Sequence, residues 1–374
     1  MHIQRLLADQ LRSRMHSGKV ILLFGPRQAG KTTLLRALIP NQDDALWLNG
    51  DLQAHHRLLD EPQPDRFALL LNKRKILCID EAQRIVDIGL KLKILNDGLP
   101  DVQIIATGSS SFELANKTGE SLTGRKWEYK LYPISFGEMS EHTSAIHEHG
   151  LLKHRLVYGY YPEIVTHPGD ELERLRLLTE SYLYKDILAW EGVMKPQKLS
   201  TLLQALAYQI GSQVSYSELA QLCGIDAKTV ERYIDLLEKT FVVFRLGSFS
   251  RNLRNELKSS RKIYFYDNGI RNAVIGRFDP IELRDDRAAL WENFIVAERM
   301  KRNAYTNQIA RVFFWKTTAQ QEIDYIEELD GVLHAYEFKW QSTKKVKPPR
   351  SFTNGYPDAL FAVVNPDNVY DFLF

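Results

Sequence analysis

The chain has 374 residues, 44% hydrophobic and 26% charged, with 49 Lys plus Arg against 47 Asp plus Glu and a formal net charge of +2. That length leaves room for two or three domains rather than one core. So balanced a charge excludes a globally basic nucleic-acid binder and leaves only local basic surfaces for phosphate.

The opening segment "MHIQRLLADQLRSR" is amphipathic but lacks the apolar centre of a signal peptide. No stretch approaches the ~18 apolar residues that a spanning helix requires, so no membrane partner is expected. Cys78 and Cys223 lie far apart in apolar surroundings and read as reduced core residues, which places the expected chain in the cytoplasm.

Next comes "KVILLFGPRQAGKTTLL", an apolar strand, a glycine-bordered loop and a helix. The loop Gly25, Pro26, Arg27, Gln28, Ala29, Gly30, Lys31, Thr32 fits the phosphate-loop pattern in its required strand–helix context. Its backbone amides and the following helix N-terminus, through Thr33, suit a nucleotide phosphate. Lys31 suits the β- and γ-phosphates, and Thr32 suits Mg²⁺. ATP and Mg²⁺ are therefore the expected cofactors.

A second apolar strand, "RKILCIDEAQRI", ends in Asp80-Glu81. Asp80 is assigned to the metal shell and Glu81 to the attacking water; an acid pair that merely complements a helix dipole is the bland alternative. A third strand, "VQIIATGSSS", brings Ser109 or Ser110 to the same sheet edge, within reach of a γ-phosphate. Strands alternating with helices over residues 18–110 imply a parallel sheet with ligands beyond its carboxyl ends. In "ESLTGRKWEYKLYPISFGEM", Arg125 follows a glycine. It reads equally as an arginine finger for a neighbouring copy or as a surface cation.

"GPRQAGKTT", "CIDEAQR", "ATGSSSFEL", "LTGR" and "YPISFGEM" resemble the prokaryotic AAA+ ATPases that carry a separate C-terminal domain, and the resemblance runs over essentially the whole chain. It implies ATP binding by Lys31 and Thr32, hydrolysis through Asp80 and Glu81, and sensing near Ser109. Farther on, "YGYYPEIV" resembles the glycine-x-x-proline segment of signal-transduction ATPases related to AAA+. That likeness implies that Pro162 lies near the adenine.

Residues 171–195 carry apolar positions at helical spacing and are expected to form a lid or linker helix. After Pro196 the pattern is a helix, a short helix from Ser217, a turn at Gly224 and a longer helix capped by Asp226, followed by the strand "FVVFRL". This is the outline of a winged helix, with Lys228, Thr229, Arg232 and Tyr233 toward the start of its recognition helix. Asp226, Glu231, Asp235 and Glu238 on that helix keep a packing or dimerisation role open. Arg245, Arg251, Arg254, Lys258, Arg261 and Lys262 make the wing and following linker basic, so phosphate contact is expected there.

In the last third, "RKIYFYDNGIRNAVIG" reads as a strand and turn, "ALWENFIVAERMKRN" as a helix headed by Glu292, and "RVFFWKTTAQQEIDYIEEL" and "GVLHAYEFKW" as two strands turning at Asp330-Gly331. Glu337 and Lys339 share a strand face, and the hairpin brings Asp324 opposite Glu337. Clustered carboxylates need a cation among them.

The arrangement resembles the PD-(D/E)XK nuclease core, which implies Mg²⁺ on Asp324 and Glu337, a water positioned by Lys339, and a shell completed by Glu292. Gln341 is compatible with the pattern. "STKKVKPPR" after it reads as a phosphate grip or a solvated loop.

The expected fold class is α/β: an AAA+-like P-loop core over 1–142, a helical lid over 143–196, a winged helix over 197–254 and a nuclease-like α/β domain over 255–374. The expected function is ATP hydrolysis coupled to a DNA-binding, DNA-cleaving C-terminal region, in a homo-oligomer. The alternatives are a nucleotide-driven switch or scaffold whose silent nuclease-like domain binds a protein, and a DNA-remodelling motor that uses that domain only for grip.

Overall fold

Strand β1 (Val20–Phe24) is apolar throughout and buried at every position, which requires cover on both faces of its sheet. The computed structural model describes residues 3–109, 122–180, 193, 195–250, 261–341 and 346–374. Within them β1 joins β2 (Ala45–Asn49), β3 (Ile76–Asp80), β4 (Gln103–Gly108) and β5 (Lys126–Lys130) in a five-stranded sheet of order β2-β3-β4-β1-β5. All neighbouring pairs are parallel. Each fully buried Leu, Ile or Phe contributes about 1.5–3 kcal/mol relative to exposure. β4 lies between β1 and β3, so three strand ends open side by side.

Helix Lys31–Leu38 begins at Gly30, whose φ of 93° is a left-handed conformation that a side chain at this position would resist. Asp80 ends β3, and Glu81 follows with φ 50° before the short turn Ala82–Arg84. Cys78 and Cys223 are free and buried, as expected.

Residues 1–134 with 239–241 form one compact unit, and 135–238 with 242–374 form another. In the second unit, helix Pro196–Tyr208, strand β6 (Gln213–Val214), helices Tyr216–Cys223 and Ala227–Lys239, and strands β7 (Val243–Gly247) and β8 (Arg261–Phe265) follow in order. Their sheet has the order β6-β8-β7 and is antiparallel. β8 therefore pairs with strands that precede residue 254.

The 19-residue helix Arg287–Tyr305 packs on β8. Asn293 on this helix accepts from Phe265 N at 2.7 Å and donates to Phe265 O at 3.1 Å and to Asn268 Oδ1 at 2.6 Å. Its amide continues the ladder of β8 and locks strand to helix.

Strands β9 (Arg311–Lys316), β10 (Glu322–Leu329), β11 (Val332–Phe338) and β12 (Leu360–Val364) form a sheet of order β12-β11-β10-β9, with β11 and β12 parallel. Phe249 N donates to Phe314 O at 2.6 Å beside the bridge from Ser248 to Phe314, which ties the segment after β7 to β9.

Three local expectations are corrected. Residues 311–329 are two strands, because Thr317 N donates to Gln321 O at 2.9 Å and closes a hairpin. The expected turn after β8 is helix Asn268–Ile275, capped by the Asp267 carboxylate accepting from Ile270 N at 3.1 Å. Glu292 does not head its helix, which starts at Arg287.

Asp267 also accepts from Tyr160 N at 2.7 Å, and burial raises its pKa. Gly159, at φ 75° and ψ −160°, makes this approach possible, since a Cβ there would sit 2.1 Å from Asp267 Oδ1. Gly159→Ala is expected to destabilise the chain by about 3 kcal/mol, read as a lower urea midpoint at unchanged slope.

Candidate functional site

Lys31 is buried, and its ammonium donates to Gly25 O at 2.8 Å and Pro26 O at 2.9 Å, folding back on the loop that precedes it. Burial lowers its pKa to about 8, against the pull of Glu81 and Asp80. Thr32 Oγ1 donates to Asp80 Oδ2 at 2.8 Å, so the first turn of the helix meets the end of β3. Thr107 donates to Asp80 Oδ1. A hydroxyl and a carboxylate brought together beside an amide-rich loop fit a hydrated Mg²⁺, which takes few protein oxygens and keeps several waters.

Glu81 Oε2 accepts from Gln83 Nε2 at 2.5 Å, and the same nitrogen lies 3.1 Å from Ser109 Oγ at the end of β4. No sequence pattern assigns Gln83 a role; its one signal is the three-residue spacing from Asp80 across a strand end. Ala29 carries a second overlooked contact: its carbonyl accepts from Arg5 Nη1 at 2.7 Å, while Arg5 Nη2 donates to Tyr132 O at 2.6 Å. Gln28 and Thr33 are exposed. Arg125 pairs with Asp97 at 2.9 Å and is half exposed. Ser110 lies outside the described residues. Pro162 opens the short helix Pro162–Val165 of the second unit.

Phosphate bound beside Lys31 would raise its pKa, so nucleotide binding near pH 8 is expected to take up about half a proton. Calorimetry in buffers of unlike ionisation enthalpy measures this. The uptake should fade near pH 6, where Lys31 is already charged, and vanish in Lys31→Arg.

The second cluster lies within the second unit. Asp324 lies across from Glu337, beyond the paired residues Tyr325 and Tyr336, as the turn at Asp330-Gly331 dictates. Lys339 Nζ is 2.7 Å from Glu337 Oε2 and 3.8 Å from Asp324 Oδ2, and Phe338 N donates to Asp324 Oδ2 at 2.8 Å. Burial first, then the Asp324 charge, push Glu337 up to about 7. Glu292 is raised by burial and joins the same field.

Three members were missed: Lys262, Tyr264 and Glu322. Lys262 Nζ lies 2.9 Å from Glu292 Oε1 and 2.6 Å from Glu322 Oε1, and Tyr264 OH donates to Glu292 Oε1 at 2.7 Å. Among the described residues, no group of three or more His, Cys, Asp or Glu side chains is arranged to hold a metal ion. As they stand, these residues do not fit the expected Mg²⁺ centre.

The basic stretch also differs from expectation. Arg245 is paired with Glu238 and with Asp235 at 2.7 Å, and Lys262 is 2% exposed, so neither is offered to phosphate. Arg251, Arg254 and Lys258 lie outside the described residues, as do residues 342–345 of the basic tail segment and 181–192 of the linker. On helix Ala227–Lys239, Lys228 and Arg232 are exposed, Tyr233 is buried, and Thr229 N and Oγ1 donate to Asp226 at 2.9 and 2.6 Å.

Residues 17–140 match the family model described as an AAA domain, and residues 149–280 and 287–372 match two domains of unknown function. An uncharacterised protein of Mycobacterium tuberculosis is 29% identical over 374 residues, covering 97% of this chain and 80% of its own. One of Methanocaldococcus jannaschii is 22% identical over 386 residues, covering 96% and 84%. A solved Walker-type ATPase of Pyrococcus abyssi superposes with a TM-score of 0.51 at 15% identity, covering 73% of this chain and 96% of its own. The first match places an AAA domain model on residues 17–140, and the superposition shows a fold shared with that ATPase. No helix among the described residues is long and apolar enough to cross a membrane.

Proposed function

We propose that the chain is a cytoplasmic, ATP-hydrolysing, DNA-associated protein in which the nucleotide state of the core controls a winged-helix and nuclease-like C-terminal region. The observation that carries this reading is the Thr32–Asp80 contact beside the buried Lys31, at the carboxyl edge of a parallel sheet in which β4 separates β1 from β3.

In hydrolysis, Lys31 leaves the Gly25 and Pro26 carbonyls for the β- and γ-phosphates, and loop amides from Arg27 to Thr33 enclose them. Thr32 and Asp80 would hold Mg²⁺, which would neutralise charge on the phosphate oxygens. Glu81 orients the attacking water, Gln83 bridges Glu81 and Ser109, and Ser109 senses the γ-phosphate. Arg125, released from Asp97, serves a neighbouring copy in a homo-oligomer.

The helix–strand–helix–helix–hairpin order and the β6-β8-β7 sheet support a winged helix, with Lys228 and Arg232 as phosphate contacts. The Asp324 hairpin with Glu337, Lys339 and Glu292 supports a nuclease-like domain, in which Lys339 holds the Glu337 and Asp324 carboxylates, and a metal ion would have to displace the lysines that now pair with them.

A second reading, a nucleotide-driven switch whose nuclease-like domain is silent, is favoured by one observation: Lys262 and Lys339 already hold these carboxylates. Both readings meet one experiment, in which purified protein with ATP and Mg²⁺ is offered linear, forked and four-way DNA while phosphate release, binding and scission are scored together. DNA association requires affinity that falls steeply with salt, and binding indifferent to salt contradicts it. Scission lost in Asp324→Ala and Lys339→Ala selects the nuclease. Binding with stimulated phosphate release and intact strands selects a silent domain.

A further inference from the structure

Lys262 and Tyr264 are two apart on β8 and point to one face, toward Glu292. Lys262 is 2% exposed, although a lysine is ordinarily at the surface. An ammonium so desolvated persists only with close anionic partners, and Lys262 has Glu292 Oε1 at 2.9 Å and Glu322 Oε1 at 2.6 Å. Despite burial its pKa is raised, because the Glu292, Asp324 and Glu322 charges together outweigh desolvation. Lys316, 2.9 Å from Glu322 Oε2, closes the outer side. Lys339 serves Glu337 and Asp324 on the other.

Four carboxylates, Glu292, Glu322, Asp324 and Glu337, are thus gathered with three ammonium groups, and Glu292 Oε1 takes both Lys262 and the Tyr264 hydroxyl. We infer that the Lys262 ammonium is the resident cation of this cluster, standing in the place a nuclease-type centre gives to a divalent ion. The cluster then holds its charge without metal, and a metal site opens only when the Lys262 charge is removed. The lysine comes from the small β6-β8-β7 sheet, whereas Asp324, Glu337 and Lys339 come from the four-stranded sheet or its edge, so the cation also joins two sheets of one unit.

The inference rests on the nuclease-like reading of the C-terminal sheet. Its test reads neither DNA nor ATP turnover, so the two fail separately. Full-length protein carrying Thr32→Ala and Asp80→Ala, to remove the phosphate-loop metal site, is titrated with Mn²⁺ without nucleotide and followed by electron paramagnetic resonance and thermal unfolding. This parent is expected to show no saturable binding at millimolar Mn²⁺ and no shift of its unfolding temperature.

Lys262→Met should acquire a site at least about 10-fold tighter, with stability partly restored by Mn²⁺, and lose it on adding Asp324→Asn. Lys262→Arg should behave as the parent. Lys262→Gln, which keeps a donor to Glu292, carries the same comparison if Lys262→Met does not fold. Asp324-dependent Mn²⁺ binding by the parent, or no gain on removing the Lys262 charge, overturns the inference.

Discussion

Lys31→Ala is expected to abolish ATP turnover, lowering kcat/KM by about 100-fold or more, while leaving the unfolding midpoint unchanged or slightly higher. The asymmetry follows from burial. In the free protein burial lowers the Lys31 ammonium to about 8 against the pull of Glu81 and Asp80, and its hydrogen bonds go to the carbonyls of Gly25 and Pro26. It is an expensive charge that a nucleotide phosphate repays, so removing it costs function and little stability. Phosphate release and thermal unfolding on the same preparation check both halves. Turnover at the wild-type rate would remove Lys31 from its assigned role.

Glu81→Gln should give the complementary result: nucleotide still binds, but hydrolysis falls by about 100-fold or more. The backbone of Glu81 is held at φ 50°, with its amide 3.3 Å from Thr107 Oγ1, and its carboxylate accepts from Gln83. A carboxamide keeps the shape but not the charge that polarises water. Fluorescent-nucleotide binding with single-turnover hydrolysis separates the two steps. Parallel losses in both would show that Glu81 shapes the pocket rather than the attack.

The candidate nucleotide site was legible because its parts are local. A phosphate loop is one continuous segment, and Asp80 and Ser109 each end an apolar strand, so parallel pairing alone brings them alongside. Gln83 was harder to read, since its role depends on the left-handed turn at Glu81 that aims it back at the β4 end.

The C-terminal cluster was legible only in part. Asp324 and Glu337 follow from hairpin arithmetic, because a turn at Asp330-Gly331 fixes the register. Lys262 and Tyr264 do not, because they depend on β8 lying against helix Arg287–Tyr305, a long-range packing that no local period encodes, and Glu322 on β10 joins the cluster through Lys262. One trace was present: a lysine in the otherwise apolar run "KIYFY" asks for a buried acid. Likewise Thr317–Gln321 reads as a polar strand segment until its own hydrogen bond closes it into a turn.

The direct test of the account is a calorimetric titration of ATP with Mg²⁺ into the wild-type chain and into Lys31→Ala. Saturable binding by the wild type, lost in the variant, is the expected result. No binding by the wild type, or equal binding by both, would contradict the assignment of the Gly25–Thr32 loop as a nucleotide site.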